Sequence, residues 1–235
     1  MKLCLGMINY NDKELLQHYL PIVRPCFDGA IVVDAESTDG SQEVFKKHDF
    51  TIIGRKWNDN YSDARNLVIK TAEELGYTHL FMLDADESMF PRDIKLVRQY
   101  LKDNEFIWLP RIEFVKDNKH FNPELYPDFQ CRVFKLGIHY HYQNRVHEML
   151  FKGEDKVVAR KTPVYPLKLP DCHIYHYGSC ISKEKLWLKR HNYDRIEIGL
   201  PLLKKVPKDT MINEEVLWGC RPVRFYGKQP IGGIK

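Results

Sequence analysis

The chain has 235 residues, 43% hydrophobic and 29% charged, with a formal net charge of +4, the balance of a globular protein with a real core. So small a net charge, with no basic block, excludes a nucleic-acid arm, and no apolar run approaches the roughly 20 residues that span a bilayer. Cysteines at 4, 26, 131, 172, 180 and 220 form no CxxC pair, and the N-terminal segment turns polar by Asn9; reduced thiols and a cytoplasmic location without a signal peptide are expected.

In chain order, Leu3 to Ile8 reads as a buried strand, and Leu15, Leu16, Tyr19, Leu20 and Val23 then recur at helical spacing, with Pro21 expected to kink or divide that helix. Gly29 to Asp34 is a second strand, tipped by an acid. Asp39 to Gln42 can open a helix as a capping box, and Phe50 to Ile53 is a third strand. The strongest helix follows, with an apolar stripe of Ala64, Leu67, Val68, Thr71, Ala72 and Leu75 and a C-terminal cap at Gly76. The fourth strand, His79 to Leu83, runs into Asp84-Ala-Asp-Glu87, and Pro91 opens a further helix. Alternating strands and helices of this kind predict a parallel sheet covered by helices.

After residue 104 the pattern changes to short strands, Phe106 to Pro110, Cys131 to Leu136 and His139 to Tyr142, and then to a basic helical part from about 182 to 205. The division expected is a nucleotide-binding α/β half, 1–104, and a mixed strand and helix acceptor half, 105–235, folded as one body.

The chemistry concentrates where strands end in carboxylates. Ligands of open parallel sheets bind beyond the carboxyl ends of strands. Period-two geometry puts Asp84 and Asp86 on one side with Ala85 turned away. Two adjacent carboxylates repel, and a hard divalent cation, Mn²⁺ or Mg²⁺, relieves them while its other positions accept phosphate oxygens.

These segments resemble family 2 glycosyltransferases, which have the GT-A fold. Asp34-Ala-Glu-Ser-Thr-Asp-Gly40 is similar to that family's DxxSTDG loop, Asp63-Ala-Arg-Asn66 to its A-R-N helix start, and Leu83-Asp-Ala-Asp-Glu87 to its DxD motif. Downstream, Asp128-Phe-Gln-Cys-Arg-Val-Phe134 resembles its Q-x-R-L-F strand, Asn144-Arg-Val-His-Glu148 its V-H-E segment, and His173-Ile-Tyr-His-Tyr-Gly178 its H-Y-G segment. Each motif is weak alone, but six in order over residues 1 to 190 are specific.

The resemblance implies a GT-A type mixed sheet flanked by helices and a metal-dependent, inverting transfer from a nucleotide-diphospho-sugar, UDP-sugars foremost. In that reading Asn9, Asp34 and Glu36 hold base and ribose, although many relatives carry Gly at position 36. Arg65, at a helix start, faces the phosphates, Asp84 and Asp86 bind metal and diphosphate, and His176 completes the metal shell, with His173 the weaker candidate. Inversion needs a base for the acceptor hydroxyl; Glu148 is the first choice and Asp128 the alternative. Arg132, Arg145 and His147 face phosphates or acceptor, or the two arginines pair with acids in a surface network. The histidines at 139, 141, 147, 173 and 176 lack the compact spacing of a zinc site.

Lys183, Lys185, Lys189, Arg190, Lys204 and Lys205 read as a solvated helix face, or as a contact for an anionic membrane surface or acceptor. The acceptor itself, a glycan, a lipid-linked sugar, a protein or a modified nucleic acid, is left open. A nucleotidyltransferase would carry G-x-G-T-R after the first strand, where this chain has Met7-Ile-Asn-Tyr-Asn11. A non-catalytic sugar- or nucleotide-binding module of the same fold is the remaining alternative.

Overall fold

The computed structural model describes residues 1–157, 167–208, 210–212 and 223–224. Its first half runs β1 (Leu3–Asn9), α1 (Lys13–Val23), β2 (Gly29–Asp34), α2 (Ser41–Lys47), β3 (Thr51–Gly54), α3 (Tyr61–Glu74), β4 (His79–Met82), β5 (Glu87–Ser88) and α4 (Pro91–Tyr100). There follow β6 (Phe106–Val115), β7 (His120–Phe121), β8 (Asp128–Lys135), β9 (Tyr140–Gln143), β10 (Met149–Lys152), β11 (Asp155–Lys156), β12 (Leu167–Lys168), β13 (Ile174–Ser179), α5 (Lys183–Glu197) and β14 (Val223–Arg224).

Strands β4, β1, β2 and β3 lie side by side and parallel. The sheet continues from β4 through antiparallel β8 to β6, then to β7 and β14, with β13 parallel to β6 and β5 paired to β13. It therefore crosses residue 104 without a break in hydrogen bonding. Strands β9, β10 and β11 form a separate small sheet. This is the α/β architecture expected, a mixed sheet flanked by helices. Strand β1 sits between β2 and β4, where the order of connection reverses, so the carboxyl ends of β1 and β4 open onto one crevice.

Alternation along the strands feeds two cores. Leu3, Leu5, Met7 and Val32 face α1, α2 and α4 through Leu16, Leu20, Phe45 and Ile94. Cys4, Ile31, Val33 and Leu80 face α3 and the β9–β10 hairpin through Val68, Ala72, Tyr142 and Leu150. Burying each such side chain stabilises the fold by roughly 1.5–3 kcal/mol. Gly6 sets the spacing of the second layer, since a Cβ there would meet Val68 Cγ1 at 2.7 Å and Leu80 Cδ1 at 2.9 Å.

Several expectations change in detail. Pro21 does not divide α1; it lies in the last turn, where it removes only the bond its own N–H would make to Gln17. Ile69, rather than Leu75, completes the buried stripe of α3, while Leu75 is half exposed at the helix end. Helix α2 has Gly40 at its N-cap, and Gln42 reaches Asp34 instead of folding back on Asp39. The basic helix ends at Glu197. Cys4, Cys26, Cys131, Cys172 and Cys180 are free thiols, and Cys220 lies outside the described residues.

Candidate active site

At the ends of β1 and β2, Asp34 is fully buried and its carboxylate accepts from four donors: Asn9 Nδ2 (2.7 Å), Ser37 N (2.9 Å), Ser37 Oγ (2.6 Å) and Gln42 Nε2 (2.7 Å). Burial alone would raise its pKa, but the bonds from Ser37, Asn9 and Gln42 outweigh it and hold the group below the ordinary value. Four bonds use the acceptor capacity of a carboxylate, so Asp34 organises the 34–40 loop. Because Asn9 Nδ2 must face this acceptor-only group, Asn9 Oδ1 is left as a buried acceptor without a partner among the described residues. Glu36 is exposed on the same loop at a φ of 59°.

The acidic segment differs from the expected strand extension. Strand β4 stops at Met82, and Glu87 N donates to Asp84 O at 2.9 Å, closing a turn. Tyr19 Oη supports it by donating to Ala85 O at 2.9 Å. In a turn the alternation of a strand no longer applies, so Asp84 and Asp86 face different neighbours.

Asp84 faces two guanidinium groups, Arg65 Nη1 at 2.7 Å and Arg132 Nη2 at 2.9 Å. Arg65 also donates Nε to Glu148 Oε1 at 2.7 Å and lies over the Tyr142 ring. Arg132 continues to Glu87 at 2.7 Å, Arg111 joins Glu87 at 3.4 Å, and Arg111 holds Asp128 at 2.7 Å. The result is an alternating chain: Glu148, Arg65, Asp84, Arg132, Glu87, Arg111, Asp128. Burial raises the Asp84 pKa, but Arg132 and Arg65 together bring it well below the usual carboxylate range. Arg65, only 5% exposed, is spent on two carboxylates and does not point into an open cleft.

Asp86 faces the other way. Its Oδ2 lies 3.3 Å from His176 Nε2 and 3.2 Å from Lys189 Nζ, and Tyr177 N anchors its carbonyl at 2.8 Å. His176 Nδ1 bonds Glu113, which also accepts from Ser179 Oγ at 3.0 Å. A Cβ at Gly178 would collide with both Asp86 Oδ2 and His176 Nε2, so glycine permits the approach. Burial lowers the His176 pKa, yet the flanking Glu113 and Asp86 carboxylates raise it to about 10. Asp12, at the start of α1, is pushed up to about 7 by burial first and then by Asp86.

These residues fit a divalent cation. Two ligands at right angles, each about 2.1 Å from one ion, lie about 3 Å apart, close to the separation of His176 Nε2 and Asp86 Oδ2. A carboxylate behind the other imidazole nitrogen is the usual support of a metal-bound histidine, and Glu113 stands there. Among the described residues no group of three or more His, Cys, Asp or Glu forms a cage. Ions such as Mg²⁺ commonly take one or two protein ligands and complete their shell with phosphate oxygens and water.

The other expected residues are scattered around this centre. Glu148 lies in the β9–β10 hairpin loop, which docks on the start of α3: Tyr61 N donates to Arg145 O at 2.9 Å, and Asn66 brackets Tyr142 with bonds of 2.9 and 2.6 Å. Arg145 is exposed and donates to Asp59 O. His147 is exposed beside Tyr193, which continues an edge-to-face row through Tyr61 to Trp57. His173 pairs with Tyr126, away from Asp86. Sequence reasoning missed Glu113, Arg111 and Asp12, and read Lys189 as part of a solvated helix face or an anionic contact, whereas it meets Asp86. Arg111 and Glu113 had a signal, because they alternate with Ile112 and Phe114. Lys189 had one too, since it shares a helical stripe with Leu186, Tyr193 and Ile196.

A model of the family "Glycosyl transferase family 2" matches residues 7–162. The SPbeta prophage-derived glycosyltransferase SunS of Bacillus subtilis (strain 168) is 27% identical over 150 residues, covering 61% of this chain and 33% of that protein; glycosyltransferase SunS of Bacillus phage SPbeta matches to the same extent. The chain thus spans about a third of the length of these relatives. Among solved structures, S. aureus TarS 1-349 in complex with UDP-GlcNAc is 17% identical with a TM-score of 0.41, covering 48% of this chain and 35% of that one. The mannosyltransferase PcManGT from Pyrobaculum calidifontis, in complex with GDP-Man and Mn²⁺, is 16% identical with a TM-score of 0.40, covering 48% and 36%.

Proposed function

The chain belongs to glycosyl transferase family 2, and from that premise we propose that it transfers a sugar, with inversion, from a nucleotide-diphospho-sugar to a hydroxyl acceptor with the help of Mn²⁺ or Mg²⁺. The observation that carries this reading is the pair His176 Nε2 and Asp86 Oδ2, 3.3 Å apart and backed by Glu113, where β13 meets the turn that follows β4. Asp86 and His176 would hold the cation, with Asp84 next to them in the same turn. When bound, the cation offsets the charge that develops on the leaving diphosphate.

The nucleoside lies over the 34–40 loop. Asn9 Oδ1, buried and without a partner among the described residues, accepts from the base, and a uracil N–H suits it. That supports a UDP-sugar as the first donor to try. Asp34 fixes the loop through Asn9, Ser37 and Gln42, and exposed Glu36 is placed to accept from ribose hydroxyls. Arg65 and Arg132 hold Asp84 ionised and set its position.

Glu148 is the base. One of its oxygens, Oε1, is taken by Arg65 Nε, the same guanidinium that meets Asp84, which fixes the carboxylate beside the acidic turn. The acceptor hydroxyl gives its proton to Glu148 as its oxygen bonds the anomeric carbon and the bond to the diphosphate breaks. The acceptor, whether glycan, lipid-linked sugar, protein or modified nucleic acid, approaches along the Trp57, Tyr61 and Tyr193 row, with His147 at its edge. A calorimetric screen of UDP-, GDP-, CMP- and dTDP-sugars with and without Mn²⁺ tests the reading. Donor binding that strengthens with Mn²⁺ in the wild type, and loses that gain in Asp86→Ala, supports it. Donor binding indifferent to Mn²⁺ and to chelator overturns the role of the cation.

A further inference from the structure

Among the described residues Lys189 is the most exposed cation that meets the acidic turn. Arg65 and Arg132 are buried and each is clamped between two carboxylates. The Lys189 side chain is 33% exposed, meets Asp86 Oδ2 at 3.2 Å and, among the described residues, otherwise donates to the Gly178 carbonyl at 3.4 Å. It stands on α5, which buries just Leu186 and Ile196 of its 15 residues. Its flexible four-carbon stem lets the ammonium move several ångströms without moving the helix.

The oxygen it holds is the one that His176 Nε2 approaches. A divalent ion on Asp86 Oδ2 and an ammonium at its present distance would lie within about 4–6 Å, where like charges repel appreciably. Both cannot keep that oxygen. The ammonium needs another anion nearby, and a diphosphate seated on the same ion would supply one.

We infer that Lys189 is a displaceable internal counter-ion: it shares Asp86 with His176 in the empty chain, and when cation and donor arrive its ammonium passes from Asp86 to the donor's diphosphate oxygens. This rests on the reading of Asp86 and His176 as the cation seat. The consequence is an ordered site. A free cation must compete with Lys189 and gains little, whereas cation and diphosphate together give the lysine a new partner. The apparent affinity for the free cation is then reduced by the fraction of molecules in which Lys189 holds Asp86.

Isothermal titration of Mn²⁺ alone, and of UDP at saturating Mn²⁺, tests this with wild type, Lys189→Met, Lys189→Ala, Lys185→Met and Asp86→Asn. Lys189→Met keeps the apolar stem, so it controls for packing. Lys185→Met, on the exposed face of the same helix, controls for a bulk charge effect. Both Lys189 variants are expected to bind Mn²⁺ roughly fivefold to tenfold more tightly than wild type and to bind UDP at saturating Mn²⁺ several-fold more weakly, with Lys185→Met unchanged in both. Unchanged Mn²⁺ affinity in the Lys189 variants, while Asp86→Asn loses binding, overturns the counter-ion and leaves the seat standing. Equal gains in Lys185→Met also overturn it. Wild-type protein that takes up no Mn²⁺, or takes it up equally in Asp86→Asn, overturns both readings.

Discussion

Glu148 and Asp128 stand at the two ends of one alternating charge chain, and their separation from the acidic turn distinguishes them as bases. A single arginine joins Glu148 to Asp84, whereas Asp128 is reached only through Arg132, Glu87 and Arg111. Asp128 also spends an oxygen on Gln130 at 2.7 Å. Glu148→Gln keeps size and shape but cannot take a proton, so the transfer step should slow by about 100-fold to 10,000-fold while UDP affinity at saturating Mn²⁺ stays within about twofold. Single-turnover transfer and titration of the same preparation separate the two quantities. Asp128→Asn should cost less in the transfer step; the reverse ranking moves the base to Asp128. Arg65 is best examined through stability. Arg65→Met leaves Asp84 and Glu148 without their shared cation in a site that is nearly dry, and breaking a buried pair in this way costs about 3–5 kcal/mol. Urea unfolding reads that loss directly, and a cost below about 1 kcal/mol would show that water already reaches the pair.

Among the elements, the nucleotide loop and the hairpin were legible to different degrees. Strands β1 and β2 could be read to within a residue because both are continuous apolar runs that end in a polar side chain, Asn9 and Asp34. Strand β4 was read one residue too long: Leu83 is as apolar as its neighbours and fully buried, but it leads into a turn that Tyr19 Oη and the Asp84–Glu87 hydrogen bond hold. No local pattern announces a bond from Tyr19, 66 positions upstream of Ala85. The sequence pattern ends strand β6 at Pro110; a proline donates no hydrogen bond, yet the strand runs on to Val115 and carries Glu113 into the site. The A-R-N segment illustrates a motif whose parts have separate tasks. Ala64 packs in the core, Arg65 pairs acids, and Asn66 fastens the hairpin that carries Glu148.

Asp34 gives the loop a pH signature. Its pKa in the folded chain is lowered, since the bonds from Ser37, Asn9 and Gln42 overcome burial. Its contribution is therefore complete above the unfolded carboxylate value of about 3.9 and is lost as pH falls through the still lower folded value. Asp34→Asn turns one acceptor oxygen into a donor that faces other donors, at a cost of about 1.5–3 kcal/mol at neutral pH. The gap between wild type and variant should narrow as pH drops from about 5 toward 3. Urea unfolding across that range checks it, and a gap that stays constant would mean that shape, not charge, is what Asp34 supplies.

Across the whole molecule, the candidate cation seat belongs to neither half alone. Asp86 comes from the turn after β4, His176 from β13, and Glu113 from β6, and they meet because β13 lies between β5 and β6. Parallel pairing sets His176 opposite Glu113, and antiparallel pairing sets His176 opposite Glu87. Such long-range register is not written in the local pattern of any one strand. It makes Glu113 a positioning residue, because it touches His176 Nδ1 while Nε2 faces Asp86. Glu113→Gln preserves the length of the side chain and its bond to Ser179, but removes the charge that fixes the imidazole. Losing a support of this kind typically weakens metal binding about 10-fold to 100-fold. The expected outcome is weaker Mn²⁺ binding by that factor, with UDP affinity measured without cation unchanged and the melting temperature lowered little. Glu113→Asp, which keeps the charge but pulls it back by one methylene, should fall between wild type and Gln. If both variants bind Mn²⁺ as wild type does, the imidazole is held by the backbone of β13 and Gly178, and Glu113 serves only the fold.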